Sequence, residues 1–101
     1  AGDFNSNAIW DKPMRSWNHS DVIRELKGLK IESFYHHKKC EKQGHETIST
    51  FFLQRNLNKP YHLDYIFGSD VFSSRLKHLL IGRPRKWISI SDHMPVVAEF
   101  Y

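Results

Sequence analysis

The chain has 101 residues, 40% of them apolar, a formal charge of +4 and a pI near 9.3. That is enough for one hydrophobic core in a single unit, 1–101, and no apolar run is long enough for a transmembrane segment. The lone Cys40 excludes an internal disulfide and leans only toward a reducing compartment such as the cytoplasm, while the positive balance suits a polyanionic partner without naming one.

Residues 1–5 read as a strand end, followed by a long loop through Trp10, Pro13 and Trp17. Ser20 and Asp21 form a helix start; Val22, Ile23, Leu26 and Leu29 share one helical face, and Gly28 is an end signal. Strands are expected over 31–35, 47–53, 61–67, 76–81 and 95–100, the last apolar almost throughout and so buried. The predicted class is α+β, mostly antiparallel sheet with one or two helices.

Within this pattern lie three polar groups set among apolar residues: Gly2-Asp3-Phe4-Asn5, His62-Leu63-Asp64-Tyr65-Ile66-Phe67 and Ser91-Asp92-His93-Met94-Pro95-Val96. On an extended strand the period of two puts Asp3 and Asn5 on one face, where a carboxylate could deprotonate water and an amide could hold a phosphate oxygen. Asp64 inside an apolar strand needs a cationic or hydrogen-bonded partner, and His93 is the natural one. Such an aspartate fixes the tautomer and favours the charged ring, leaving the second nitrogen for developing negative charge or a leaving group. Asp92 could hold a hard cation. His62 shares a predicted strand face with Asp64 and is a candidate substrate contact.

In this order the motifs resemble the endonuclease/exonuclease/phosphatase superfamily, the family of deoxyribonuclease I, exonuclease III, inositol-phosphate phosphatases and sphingomyelinases. The resemblance runs from Gly2 to Phe100 and implies the carboxy-terminal half of a four-layer α/β/β/α sandwich. It implies a metal-dependent phosphoester hydrolase with nucleic acid as first substrate. Asp3 looks like the water-activating aspartate, Asn5 like the phosphate-contacting asparagine, Asp64 like the residue orienting the histidine, Asp92 like the metal-linked aspartate and His93 like the transition-state stabiliser or acid. Thr50-Phe51 is similar, over too short a match to assign a role, to a phosphate-proximal threonine of the family.

Members of that family are more than twice as long, and their amino-terminal half carries the glutamate that is the principal ligand of Mg2+ or Mn2+. The chain is therefore expected to be a fragment, inactive alone, whose natural partner is that missing half and whose uncovered sheet face favours self-association. The alternative is a non-catalytic binding or assembly module on the same scaffold.

The basic residues gather at Lys38, Lys39 and Lys42 and again at Arg83, Arg85 and Lys86. Both runs read first as solvated loops. The second, shortly before Asp92-His93, is the better candidate for contacts to flanking phosphates. His36, His37, Cys40 and His45 match no strong zinc spacing and read as a solvated loop, His19 as a surface residue, and Trp10 and Trp17 as loop anchors.

Overall fold

A computed structural model describes all residues, 1–101, and shows an α+β fold whose sheets are four separate two-stranded antiparallel pairs. In chain order the strands and helices are β1 (Gly2–Asp3), α1 (His19–Gly28), β2 (Ile31–Ser33), α2 (Phe34–Lys39), β3 (Phe51–Phe52), β4 (Pro60–Tyr61), β5 (Asp64–Tyr65), β6 (Phe67–Ser69), α3 (Asp70–Ser74), β7 (Leu76–Ile81), α4 (Pro84–Trp87) and β8 (Val96–Phe100). Short 3-10 turns occupy Ala8–Trp10 and Leu53–Arg55. The pairs are β1 with β5, β2 with β6, β3 with β4 and β7 with β8. No helix is long and apolar enough to cross a membrane.

Helix α1 forms where the apolar spacing predicts, but it starts earlier, because Asn18 caps it and the Asn18 amide donates to the Asp21 carboxylate at 2.7 Å. Only part of its apolar face is covered: Ile23 and Leu26 are half-buried, whereas Leu29 stays 70% exposed. The strand expected over 31–35 stops at Ser33. There the chain bends into α2, and Phe34 and Tyr35 turn inward to build the core with Leu76 and Leu79. The segment expected to be a solvated histidine-rich loop is thus largely this helix.

The predicted strand 61–67 is divided among three partners: β4 runs beside β3, β5 beside β1 and β6 beside β2. Each change of partner needs a bend, which breaks the strict alternation assumed for a continuous strand. Strand β7 matches its predicted span, and β8 pairs with it over Val96–Phe100. Contrary to expectation β8 is not buried, since Val97, Glu99 and Phe100 are exposed. An apolar strand on a two-stranded ribbon has one face packed and one face open. Helices α3 and α4, of five and four residues, were not expected, and they bring the helix count above one or two.

The molecule is a slab, 42 × 38 × 19 Å, and only 14 of its residues are buried. A thickness of that order holds about two packed layers, so much apolar surface remains at the faces, including Phe72 and Phe100. Near the third motif the backbone packs closely. A Cβ on Gly82 would lie 2.6 Å from the Pro95 ring, and the Gly82 amide donates to the Pro95 carbonyl at 2.8 Å. Only a residue without a side chain lets the end of β7 approach the Asp92–Pro95 loop this closely.

Candidate active site

The β1–β5 register sets Asp3 directly opposite Asp64. Two carboxylates facing each other across a strand pair repel, so the pairing needs a compensating charge. His93 supplies it. Its Nδ1 lies 3.0 and 2.9 Å from the two Asp64 oxygens, and its Nε2 lies 3.6 Å from an Asp3 oxygen. The ring is held over β3 by the Phe51–His93 bridge, with the Phe51 ring centroid 4.7 Å from the imidazole. Asp64 is the more buried partner, with 15% of its side chain exposed against 32% for His93 and 47% for Asp3.

Burial alone would lower the His93 pKa. The hydrogen bond donated to Asp64 and the charges of Asp64, Asp3 and Asp92 outweigh it, and the pKa is raised from its ordinary 6.5. With Nδ1 occupied by Asp64, the ring presents Nε2 toward the more open side, where Asp3 stands just beyond hydrogen-bond length. A cavity of about 270 Å³ adjoins Asp64 and is lined with Gly2, Ile66, Met94 and Val96.

Three of the sequence-predicted residues therefore converge. The others are placed differently. β1 ends at Asp3, and Asn5 adopts a left-handed backbone with φ 48°, a conformation asparagine tolerates better than most residues. Its amide donates to Asp3 Oδ1 at 2.8 Å. Asp3 and Asn5 are consequently joined by a tight turn, not by sharing the face of an extended strand, and Asn5 is exposed beside the carboxylate. Asp92 is half-buried; its carbonyl accepts from the Phe52 amide at 2.9 Å, and its carboxylate has no hydrogen-bond partner in the chain.

His62 does not share a face with Asp64. β4 ends at Tyr61, and the bend that follows turns His62 inward until only 4% of it is exposed. Its Nδ1 pairs with the Ile48 carbonyl at 2.8 Å, its ring lies 4.4 Å from that of Tyr35, and burial lowers its pKa. A neutral, enclosed imidazole cannot touch a substrate.

Arg83, Arg85 and Lys86 are exposed on and just before α4, with no hydrogen bond or ion pair to Asp3, Asp64, Asp92 or His93. Arg83 lines a groove of about 510 Å³ that also contains Phe52. Successive strand side chains point to opposite faces, so this groove lies across β3 from the His93 side, which Phe51 faces.

His19, His36 and His37 are engaged elsewhere in the chain. His19 is 7% exposed and bonds through its two nitrogens to Ser6 and Gln43, each at 2.8 Å, so it is an interior residue and not a surface one. His36 pairs with Glu46 at 2.8 Å and His37 with Glu32 at 3.2 Å, while Cys40 is exposed. The one group of three potential metal-ligating side chains is Asp3, Asp64 and His93, whose ligand atoms lie within 4.8 Å of one another.

As a cation site these donors fit in part. Both Asp64 oxygens and one His93 nitrogen are engaged with each other, and a ring favouring its charged form repels a cation. Asp3 and Asp92 retain free acceptor capacity. A hard divalent ion is commonly held by one or two carboxylates, with water and substrate phosphate completing its shell.

No protein-family model, curated protein or solved structure matches the chain.

Thr50 was the least legible member of the site. It is fully enclosed and its hydroxyl meets the backbone of the Asp64 segment, as set out below. Ser91 opens the third motif; its hydroxyl accepts from the His93 backbone amide at 3.0 Å and shapes the turn that presents the ring. A hydroxyl residue two positions before the histidine was the available signal.

Proposed function

We propose that the chain carries the acid–base half of a metal-dependent phosphoester hydrolase of the endonuclease/exonuclease/phosphatase type. The observation that carries this reading is the Asp64–His93–Asp3 row, in which a half-buried carboxylate holds an imidazole whose other nitrogen faces a second, exposed carboxylate. A merely structural pair would not need the third charge, nor leave it open to solvent.

In this reading Asp3 accepts a proton from a water that attacks phosphorus in line, the new P–O bond forming as the bond to the leaving oxygen breaks. Asn5, one turn from Asp3, donates to a non-bridging oxygen. His93, fixed by Asp64, stabilises the crowded anionic transition state through Nε2–H or passes that proton to the departing oxygen. Asp92 would hold a Mg2+ or Mn2+ ion, which when bound neutralises phosphate charge. One carboxylate is a partial shell, so the reading assigns the principal ligand to an amino-terminal part of the same domain outside these residues. The net positive charge supports a polyanion, nucleic acid first, with Arg83, Arg85 and Lys86 reaching only flanking phosphates.

The test is Mg2+- and Mn2+-dependent cleavage of DNA, RNA and a generic phosphodiester by the natural gene product, with the 101-residue chain assayed beside it. Metal-dependent cleavage abolished by His93→Ala supports the reading. Inertness toward every substrate moves it to a non-catalytic binding module, and activity indifferent to His93 overturns the role given to the Asp64–His93–Asp3 row.

The slab also predicts self-association of the isolated chain. An apolar hollow of about 390 Å³ between Phe34, Phe67, Phe72 and Phe100 is open to solvent, and covering such a patch is favourable by about 25 cal/mol per Å². Light scattering should show mass rising with concentration. A monomer across the whole range would refute the proposal.

A further inference from the structure

Thr50 is the one side chain bonded to the backbone beside Asp64 while its own backbone holds the loop of His93. It is 0% exposed, so the phosphate-proximal part suggested by the resemblance is closed to it. Its Oγ1 accepts from two successive amides, Leu63 at 2.9 Å and Asp64 at 3.1 Å. Its amide donates to the Tyr61 carbonyl at 2.9 Å, and its carbonyl accepts from the Met94 amide at 2.7 Å. Phe51, next in the chain, bridges to His93, and Phe52 bonds to the Asp92 carbonyl.

These bonds meet where 61–67 leaves β3 for β1. At that bend a strand ladder gives little guidance, and a shift of one residue would carry Asp64 to the other face. A hydroxyl oxygen has two lone pairs, and here both are used on the amides that bracket the bend. Tyr65 makes the neighbouring anchor, its hydroxyl donating to backbone carbonyl oxygen and receiving Asn7 Nδ2 at 3.2 Å, but that side chain fixes the residue after Asp64 and makes no hydrogen bond to residues 92–94.

We propose that Thr50 is a positioning residue that sets the Asp64–His93 pair: its hydroxyl fixes the backbone of Asp64 and its main chain fixes the loop of His93. This rests on the reading of that pair as the working unit of the site. Its function is separate from holding the core, because a side chain of the same shape without the oxygen would fill the space equally well. Thr50→Val is such a side chain, and Thr50→Ser keeps the oxygen while losing a methyl group.

The experiment uses proton and nitrogen NMR of the 101-residue chain. In the parent and in Thr50→Ser, the Nδ1 proton of His93 should be visible at low field, shielded from exchange by Asp64, and the Leu63 and Asp64 amides should exchange slowly. In Thr50→Val the low-field signal should be lost, and those two amides should exchange at least about tenfold faster relative to Leu79 of β7, which reports the remote core. A folded Thr50→Val that keeps the signal and the slow amides overturns the proposal. Should Thr50→Val fail to fold, the other arms decide. Fast Leu63 and Asp64 amides in the parent, or loss of the low-field signal in Thr50→Ser, would equally overturn it. None of these readouts depends on turnover, so absence of hydrolase activity would sink the proposed function and leave this inference to stand or fall by itself.

Discussion

Of the histidine–carboxylate pairs in this small chain, two with similar distances are built for opposite ends. His36 and Glu46 meet at 2.8 Å with 11% and 4% of their side chains exposed. Glu46 also accepts from the Gly44 amide at 3.0 Å and from Asn7 at 3.2 Å, so its three partners close the 40–49 loop onto the start of the chain. Burial would raise its pKa, but the bonds from His36, Gly44 and Asn7 prevail and hold it at about 2. His93 and Asp64 meet at a similar distance, yet His93 is 32% exposed and its outer nitrogen meets only a carboxylate at 3.6 Å. A pair whose bonding capacity is all spent inside the protein latches the fold. One with an unspent donor at the surface can work on something else.

The largest effect that would break this contrast is on catalysis. In the metal-loaded natural product, His93→Ala and Asp64→Asn should each lower the rate of phosphodiester cleavage by about 10²- to 10⁴-fold. Thermal unfolding should change little, because both groups sit at a half-open rim. Glu46→Gln should leave the rate per folded molecule near that of the parent. Equal losses from the two pairs, measured on folded protein, would end the distinction.

Next in size is stability. Glu46 is the enclosed member, and a carboxyl lowered from 4.5 to about 2 contributes about 3 kcal/mol near neutrality. Urea unfolding of Glu46→Gln at pH 7 should show a loss of that order. The sign with pH follows. A lowered folded pKa gives stability that is complete above the unfolded value and is lost as pH falls through about 5 toward about 2. The parent should therefore weaken across that window, and Glu46→Gln should be flatter there. If both lose stability in parallel, Glu46 is not the latch.

The two pairs also differ in how far they could be read from sequence. Asp64 was legible because an acid inside Leu63-Asp64-Tyr65-Ile66-Phe67 demands a partner, and His93 stood in a motif of its own; the β7 strand and helix α1 were legible from plain periodicity. The His36–Glu46 latch was not. Its members lie ten residues apart, across the αL turn at Cys40, and no local rule joins them. His62 departs from its predicted face for a related reason: its side-chain direction depends on where 61–67 changes partner, and that bend is bonded by Thr50, from the segment just before β3. Long-range hydrogen bonds at a bend leave little trace in hydrophobic pattern. The α+β class needed only the local signals, whereas the side-chain directions at the site needed the tertiary ones.

The smallest predicted effect is at the other end of the pH scale, and it separates the pairs by sign. Burial works against charge on His93, but Asp64, Asp3 and Asp92 together raise its pKa above 6.5. A raised folded pKa means that the charged ring stabilises the fold fully below the unfolded value, and that this contribution fades as pH climbs from 6.5 through the folded pKa. The exposed position screens the interaction, so the loss should be modest. Urea midpoints measured upward from pH 6 should fall slightly in the parent and stay level in Asp64→Asn, which removes the main attraction. Glu46→Gln should keep the parent's slope in this range, since the latch carboxylate is ionised throughout it. A slope that vanishes in Glu46→Gln and survives in Asp64→Asn would assign the alkaline loss to the wrong pair, and with it the view that the open histidine is the one held charged for use.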